Sequence, residues 1–262
     1  ENYAAIKARI FAGQGAGDTA IIGIDDEYCR AIHAQLVVEA SGRRIVPISI
    51  ETILEDGVSA VGGQLYENGK LVFALDFPAL PGAHNGQNVA AAYAAARAAG
   101  LDADVIRTGI ASFPGLKHRL QRVGVIDGIP CINDSKATNA DSTAKALASF
   151  ETIYWIAGGK PKSDGIESLR PFFSRIRHAS LIGEAANAFA NTLGASVPHA
   201  ICGTLDKALD DAVAAAKRDG GQDGVILLSP ACASFDQFKS FEHRGDEFIR
   251  LVAERGQAEV AA

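Results

Sequence analysis

Three short apolar runs, each broken off by a polar or glycine-rich loop, constrain this chain more than any other feature. Ile129-Pro130-Cys131-Ile132 stops at Asn133-Asp134-Ser135-Lys136-Ala137-Thr138-Asn139. Ile153-Tyr154-Trp155-Ile156-Ala157 stops at Gly158-Gly159-Lys160-Pro161-Lys162-Ser163, and Val225-Ile226-Leu227-Leu228 at Ser229-Pro230-Ala231-Cys232-Ala233-Ser234. Runs of this length between helical patterns read as strands buried on both faces, as in a parallel sheet. Loops after the carboxyl ends of such strands gather in one crevice, where ligands bind. The three loops are therefore expected to line one site.

The residues around these runs keep the alternation. A strand pair over 119–126 and 129–133 turns at Asp127-Gly128, and helices are expected over 140–150, 165–177, 184–193, 205–218 and 237–254, with strands at 152–157, 179–182 and 225–228. That order predicts an α/β fold with a mostly parallel, doubly wound sheet. Upstream, the spacing predicts a helix over 3–11, a buried strand at 20–24 and a hairpin turning at Asn68-Gly69. The loop 81–88 leads into an alanine-rich helix over 89–99 that Gly100 stops. The pattern changes around Phe113-Pro114-Gly115, which sets the expected domains at 1–115 and 116–262.

With 262 residues, 48% of them hydrophobic, the chain can bury a large core in one or two domains. No run has the apolar length of a membrane span, and the amino end lacks the basic and apolar regions of a signal peptide, so a cytoplasmic protein with no membrane partner is expected. The net charge of -6 argues against nucleic acid as a partner. Four scattered cysteines suggest neither a disulfide framework nor a zinc site. The absence of methionine makes the chain read as the carboxyl-terminal piece of something longer.

Several residues stand out chemically. Lys7 falls within the stripe Tyr3, Ile6, Ile10 that should face the core, so it either snorkels to water or is held inside for chemistry. Asn85 and Asn88 precede the alanine-rich helix; they can cap and turn the chain, or read a nucleobase or sugar. His84 in the same loop reads as structural. Asp134, Lys136 and Thr138 exceed what a strand-to-helix loop needs, since Asn139 or Asp141 can cap the helix. Lys160 and Lys162 after two glycines form either an anion cradle or a solvated basic loop. Ser234 lies just before a helix and could donate to a carboxylate. The ring of Phe241 shares a stripe with Phe238 and Phe248 and reads as core, while its amide could bind a ligand. No GxxxxGK[ST] or GxGxxG occurs, so a nucleotide's phosphates are not cradled by such a loop here, and a dehydrogenase has little support.

The motifs at 133–139 and 228–238 closely resemble those of the Mur ligases, and the resemblance extends over essentially the whole chain. It implies the end of a central ATPase domain (1–115) followed by a Rossmann-like carboxyl-terminal domain (116–262) that binds D-glutamate. The Lys136-Ala137-Thr138-Asn139 continuation points to D-glutamate rather than another amino acid. The implied activity is ATP-dependent amide synthesis on UDP-N-acetylmuramoyl-L-alanine through an acyl phosphate, with ATP and Mg2+ as cofactors and a monomer as the expected state.

Residue by residue, the resemblance implies that Lys7 is carbamylated and ligates magnesium. It places Asn85 and Asn88 by adenine and makes His118, Arg119 and Asp134 ATP-contacting groups, with Asp134 on the ribose and Arg119 near the phosphates. Lys136, Thr138, Lys162, Ser234 and Phe241 are implied to hold the two carboxylates of D-glutamate. Lys7, His118, Arg119 and Lys136 form the expected catalytic set. The family's uridine-nucleotide domain, its phosphate loop and two further magnesium ligands would lie upstream of Glu1, so the chain alone is expected to be inactive. A non-catalytic nucleotide- or sugar-binding module is the alternative.

Overall fold

The structure, a computed structural model, describes residues 2–39, 42–162, 165–220 and 223–258. It divides into two compact units, Glu1–Phe113 and Pro114–Ala262. No helix among the described residues is long and apolar enough to cross a membrane.

The first unit holds α1 (Asn2–Ala8), β1 (Thr19–Gly23), α2 (Glu27–Glu39), β2 (Arg44–Ser49), β3 (Val58–Val61), β4 (Gln64–Glu67), β5 (Lys70–Ala74), α3 (Ala83–Ala98) and α4 (Ala103–Ala111). Its sheet runs β1-β2-β3-β4-β5, parallel through β3 and antiparallel beyond. The β4–β5 turn is the expected one. Asn68 and Gly69 both take positive φ (51° and 74°), which this tight turn demands and which these two residue types tolerate. The alanine face of α3 lets it pack closely on β1–β3, burying Val89, Ala90, Tyr93 and Ala94. Tyr93 is completely buried, and its hydroxyl donates to Glu67 Oε2 at 2.9 Å.

Two expectations fail in this unit. The stripe on α1 does not face a core of the described residues: Tyr3, Ile6 and Ile10 are 72%, 54% and 76% exposed, and Lys7 is exposed among them. Only Phe11, one turn further on, joins the small cluster of Ala20, Ile22 and Leu36. The alanine-rich helix also begins earlier than its alanines suggest. α3 starts at Ala83, so Asn85 and Asn88 lie within its opening turns rather than in a loop before it. Gly82 at φ 88° sets the entry, and Asn85 donates its side-chain amide back to Pro81 O at 2.7 Å.

The second unit contains β6 (Gln121–Ile126), β7 (Ile129–Asn133), α5 (Ala140–Ala148), β8 (Ile153–Gly158), β9 (Ile176–Ile182), α6 (Ala186–Leu193), β10 (His199–Gly203), α7 (Leu205–Arg218), β11 (Val225–Leu228), α8 (Phe241–Arg255) and β12 (Gln257–Ala258). The seven strands run β10-β9-β8-β11-β7-β6-β12. The first five are mutually parallel, and β6 and β12 add antiparallel pairings. One face carries α5 and α6 over Trp155, Leu181 and Leu227, the other α7 and α8 over Tyr154, Ile156 and Leu228. This is the doubly wound α/β arrangement anticipated from the alternation.

Local chemistry changes two of its helices. The segment expected as a helix over 165–177 is a 3-10 helix, Glu167–Arg175, because Pro171 inside it has no N–H for an α-helical bond. The last helix begins at Phe241 rather than 237, where Ser240 caps it by accepting the N–H of His243.

Candidate functional site

In the second unit β11 lies between β7 and β8, so the three loops singled out in the sequence leave neighbouring strands at their carboxyl ends. Backbone bonds tie them together: Asp134 N to Leu228 O at 2.8 Å, Gly158 N to Pro230 O at 2.9 Å, and Lys160 N to Ala233 O at 2.9 Å. The completely buried Trp155 donates its indole N–H to Ser229 O at 2.8 Å, fixing the third loop over β8.

Asp134 is 5% exposed at the centre of this edge. Its Oδ2 accepts from the Ser229 hydroxyl (2.8 Å) and its Oδ1 from Leu120 N (3.3 Å). Burial pushes its pKa up to about 7, against the opposing pull of those two hydrogen bonds and the nearby Arg119 guanidinium. Arg119 itself is exposed. Around it the backbone is left-handed at both His118 (φ 63°) and Leu120 (φ 44°), a conformation that costs on the order of 1 kcal/mol per residue outside glycine.

The His118 ring is buried against α8. Its Nδ1 meets Asn133 Nδ2 at 3.1 Å, and its Nε2 lies 3.6 Å from Asp246. Gly245 makes this possible, since a Cβ there would fall 2.2 Å from His118 Nδ1. Burial lowers the pKa of His118, with Asp246 pulling the other way. The neutral imidazole is therefore favoured at physiological pH.

Lys136 is exposed, with its backbone N–H on His118 O at 3.0 Å and its ammonium 4.0 Å from the centroid of Phe241. Thr138 is half-buried two residues on, just before the Asn139 cap of α5. Ser234 is 2% exposed, and its carbonyl accepts from Gln237 N and Phe238 N. The Phe241 ring is half-buried rather than core, lying edge-on to His118 and under Lys136.

Of the two readings of Gly158-Gly159, the geometry favours the solvated basic loop over the anion cradle. A Cβ on Gly158 would fall 2.1 Å from Ile182 O, and one on Gly159 2.4 Å from Ala233 O. The close approach that glycine permits is taken up by the protein's own backbone. Lys160 and Lys162 are exposed beyond it. What remains for a ligand is their charge.

Arg244 is the residue that sequence pattern missed. It is completely buried on α8 and donates to Ser135 Oγ (3.0 Å), Ser135 O (2.9 Å), Cys232 O (3.1 and 3.2 Å) and Ala233 O (3.3 Å). Ser135 in turn donates to Phe241 O at 2.8 Å. One guanidinium thus clamps the loops after β7 and β11 to the start of α8. Burial pulls its pKa down to about 10, which still leaves it protonated at neutral pH. An arginine on an otherwise charged helix gives no sequence signal of burial. Its i+3 spacing from Phe241 was the only hint.

In the first unit Asn85 is buried and accepts from Asn88 Nδ2 at 3.1 Å. Asn88 also borders an apolar cleft of about 560 Å³ between α3 and α4, lined by Val89, Ala92, Val105, Ile106 and Phe113. The Lys7 ammonium lies 5.3 Å from the centroid of the Tyr3 ring. No cluster of three or more His, Cys, Asp or Glu side chains suited to a metal ion occurs among the described residues. A carbamate on Lys7 would be a single anionic group offering two oxygens, so the described residues do not by themselves fill the octahedral shell of magnesium.

Comparison with known proteins gives consistent matches. The family profile described as Mur ligase, glutamate ligase domain matches residues 118–232, and that of the Mur ligase middle domain matches 1–96. A UDP-N-acetylmuramoylalanine--D-glutamate ligase of Chelativorans sp. (strain BNC1) is 53% identical over 257 residues, covering 96% of this chain and 54% of that protein. The enzyme of the same name from Rhodospirillum rubrum is 51% identical, covering 100% and 56%. The chain spans about half the length of the curated relatives it matches. Among solved structures, a UDP-N-acetylmuramoyl-L-alanyl-D-glutamate--2,6-diaminopimelate ligase shares the fold with a TM-score of 0.57 at 16% identity, over 96% of this chain and 56% of that one. A bifunctional folylpolyglutamate synthase/dihydrofolate synthase from Yersinia pestis CO92 does so with 0.57 at 17%, over 96% and 56%.

Proposed function

Because the chain belongs to the Mur ligase family, we propose that it carries the amino-acid site and part of the nucleotide site of a cytoplasmic ligase that joins D-glutamate to UDP-N-acetylmuramoyl-L-alanine in peptidoglycan precursor synthesis. The observation that carries this reading is the edge formed by β7, β11 and β8. There Lys136, Thr138, Lys162, Ser234 and the Phe241 amide are cations, hydroxyls and an N–H donor gathered on neighbouring loops. Two carboxylates on one small ligand are what such a donor set suits. The names of the relatives support D-glutamate as that ligand.

Residues 116–262 are accordingly the D-glutamate domain and 1–115 the end of the central ATP domain. ATP supplies the phosphoryl group that activates the substrate carboxylate as an acyl phosphate, which the D-glutamate amine then displaces. The residues of this chain bind and orient. Asp134 takes a ribose hydroxyl, Arg119 and neutral His118 lie toward the phosphates, and Asn85 and Asn88 flank adenine, with the apolar cleft beside Asn88 a suitable neighbour for a base. Lys136 and Lys162 neutralise the amino acid's carboxylates while Thr138 and Ser234 fix their direction.

Lys162→Ala in the full-length protein tests the reading. The KM for D-glutamate should rise by about 10- to 100-fold, the worth of one charge-assisted hydrogen bond, and that for ATP by less than about twofold. Equal losses for both ligands would count against it. Retained ligand binding with no D-glutamate-dependent phosphate release would leave a binding module instead. The Lys7 carbamate is tested separately: 13C-bicarbonate should give a carbamate resonance that Lys7→Arg abolishes, and its absence at alkaline pH removes that role.

A further inference from the structure

The Lys136 side chain is held by a ring rather than by an acid. Its ammonium stands 4.0 Å from the Phe241 centroid, while the Glu242 carboxylate, next along the chain, feels its charge but makes no ion pair with it among the described residues. A cation there is attracted by the negative face of the ring. The ring is itself fixed twice. The Phe241 carbonyl accepts from Ser135 Oγ at 2.8 Å, and the ring meets the His118 imidazole edge-on at 6.2 Å and 84°. The same His118 accepts the Lys136 backbone N–H at 3.0 Å. Lysine and shelf are thus anchored to one buried residue.

Phe241 also opens α8. Ser240 caps the helix through His243 N, which leaves the Phe241 N–H among the first-turn donors that a helix cannot satisfy internally. One residue offers a backbone donor and holds the neighbouring cation in place.

We propose that the Phe241 ring is a positioning element, holding the Lys136 ammonium by a cation–π contact so that it stands ready for a carboxylate of an acidic amino acid. This rests on the assignment of Lys136 to the amino-acid site. A ring suits the task better than an internal aspartate. It removes rotamer freedom from a long side chain before the ligand arrives, yet surrenders the ammonium to a full negative charge at little cost. The ring then sets affinity through Lys136 rather than through apolar burial of its own.

A double-mutant cycle in the full-length protein tests this. Phe241→Leu should raise the KM for D-glutamate about three- to tenfold when Lys136 is present, and by less than about twofold in a Lys136→Gln background. Progressive fluorination of Phe241 weakens the ring's negative face at nearly constant shape. It should raise that KM stepwise without moving the thermal midpoint, a dependence that a merely structural ring would not show. Additive effects in the cycle, or indifference to fluorine, would overturn the proposal. A further readout needs no ligand: the ε-methylene protons of Lys136 should be shifted upfield by the ring and return on Phe241→Leu. A normal shift in the unsubstituted protein refutes the shelf and leaves the D-glutamate reading standing. No change in KM on Lys136→Gln alone overturns both.

Discussion

Arg244→Met is expected to lower the stability of the second unit by about 2–4 kcal/mol and to raise the KM for D-glutamate more than that for ATP. Arg244 is the donor the structure gives to Ser135 O and Cys232 O, and it shares Ala233 O with Lys160 N. A buried carbonyl left without a donor costs about 1–3 kcal/mol, so two give several. Against this, the variant no longer buries a guanidinium charge, which returns part of the loss. Arg244→Lys should recover little, because one ammonium cannot reach carbonyls that the planar fork spans. The effect on D-glutamate follows from where the clamp acts: Ser135 precedes Lys136, and Ala233 precedes Ser234. Thermal unfolding together with both KM values checks the expectation. An unchanged midpoint with unchanged KM for D-glutamate would show that the loops hold their shape without the clamp.

The second large effect depends on pH. The Asp134 carboxyl has a pKa of about 7 in the folded protein, raised chiefly by burial from 3.8. Between these values the folded protein keeps the proton that the unfolded chain has released. Stability therefore falls as pH rises from about 4 to about 7 and is level above that, the reverse of the usual salt-bridged aspartate. At about 1.4 kcal/mol per pH unit the loss reaches about 4 kcal/mol at most. Asp134→Asn should remove this dependence without leaving a gap. The amide oxygen can accept from Leu120 N and the amide nitrogen can donate to Ser229 Oγ, whose own proton can turn to Thr143 Oγ1 at 3.1 Å. The variant should match the unsubstituted protein below pH 4 and exceed its thermal midpoint increasingly up to pH 7. Parallel curves across that range would show that Asp134 is ionised throughout.

Much of the second unit was legible in the sequence. The runs 129–132, 153–157 and 225–228 are apolar without alternation, as strands covered on both faces must be. The turns at Asn68-Gly69 and Asp127-Gly128 were equally readable, since few residues accept positive φ at both positions. Residues 25–64 remained unassigned for physical reasons. α2 exposes Val37 and Val38 and buries only Leu36, so it carries no clear stripe, and Pro47 interrupts the strand signal of β2. The start of α3 was hidden because glycine and asparagine, ordinarily turn residues, form its opening. The stripe of α1 misled for a different reason. Periodicity shows which residues share a face, while burial depends on what lies opposite.

The same distinction separates the two sources of information about the site. By itself the sequence determined the alternation of strands and helices, and with it the loops that carry Asp134, Lys136, Lys162 and Ser234, because apolar periodicity and turn chemistry act over a few neighbouring residues. The tertiary structure alone decided that Arg244 is a buried clamp, that Gly158 and Gly159 pack against backbone, and that Phe241 supports Lys136 instead of filling the core. Those outcomes depend on carbonyls and rings up to 109 residues apart along the chain. A polar group's energy in a low-dielectric interior is set by such partners, which no local pattern contains.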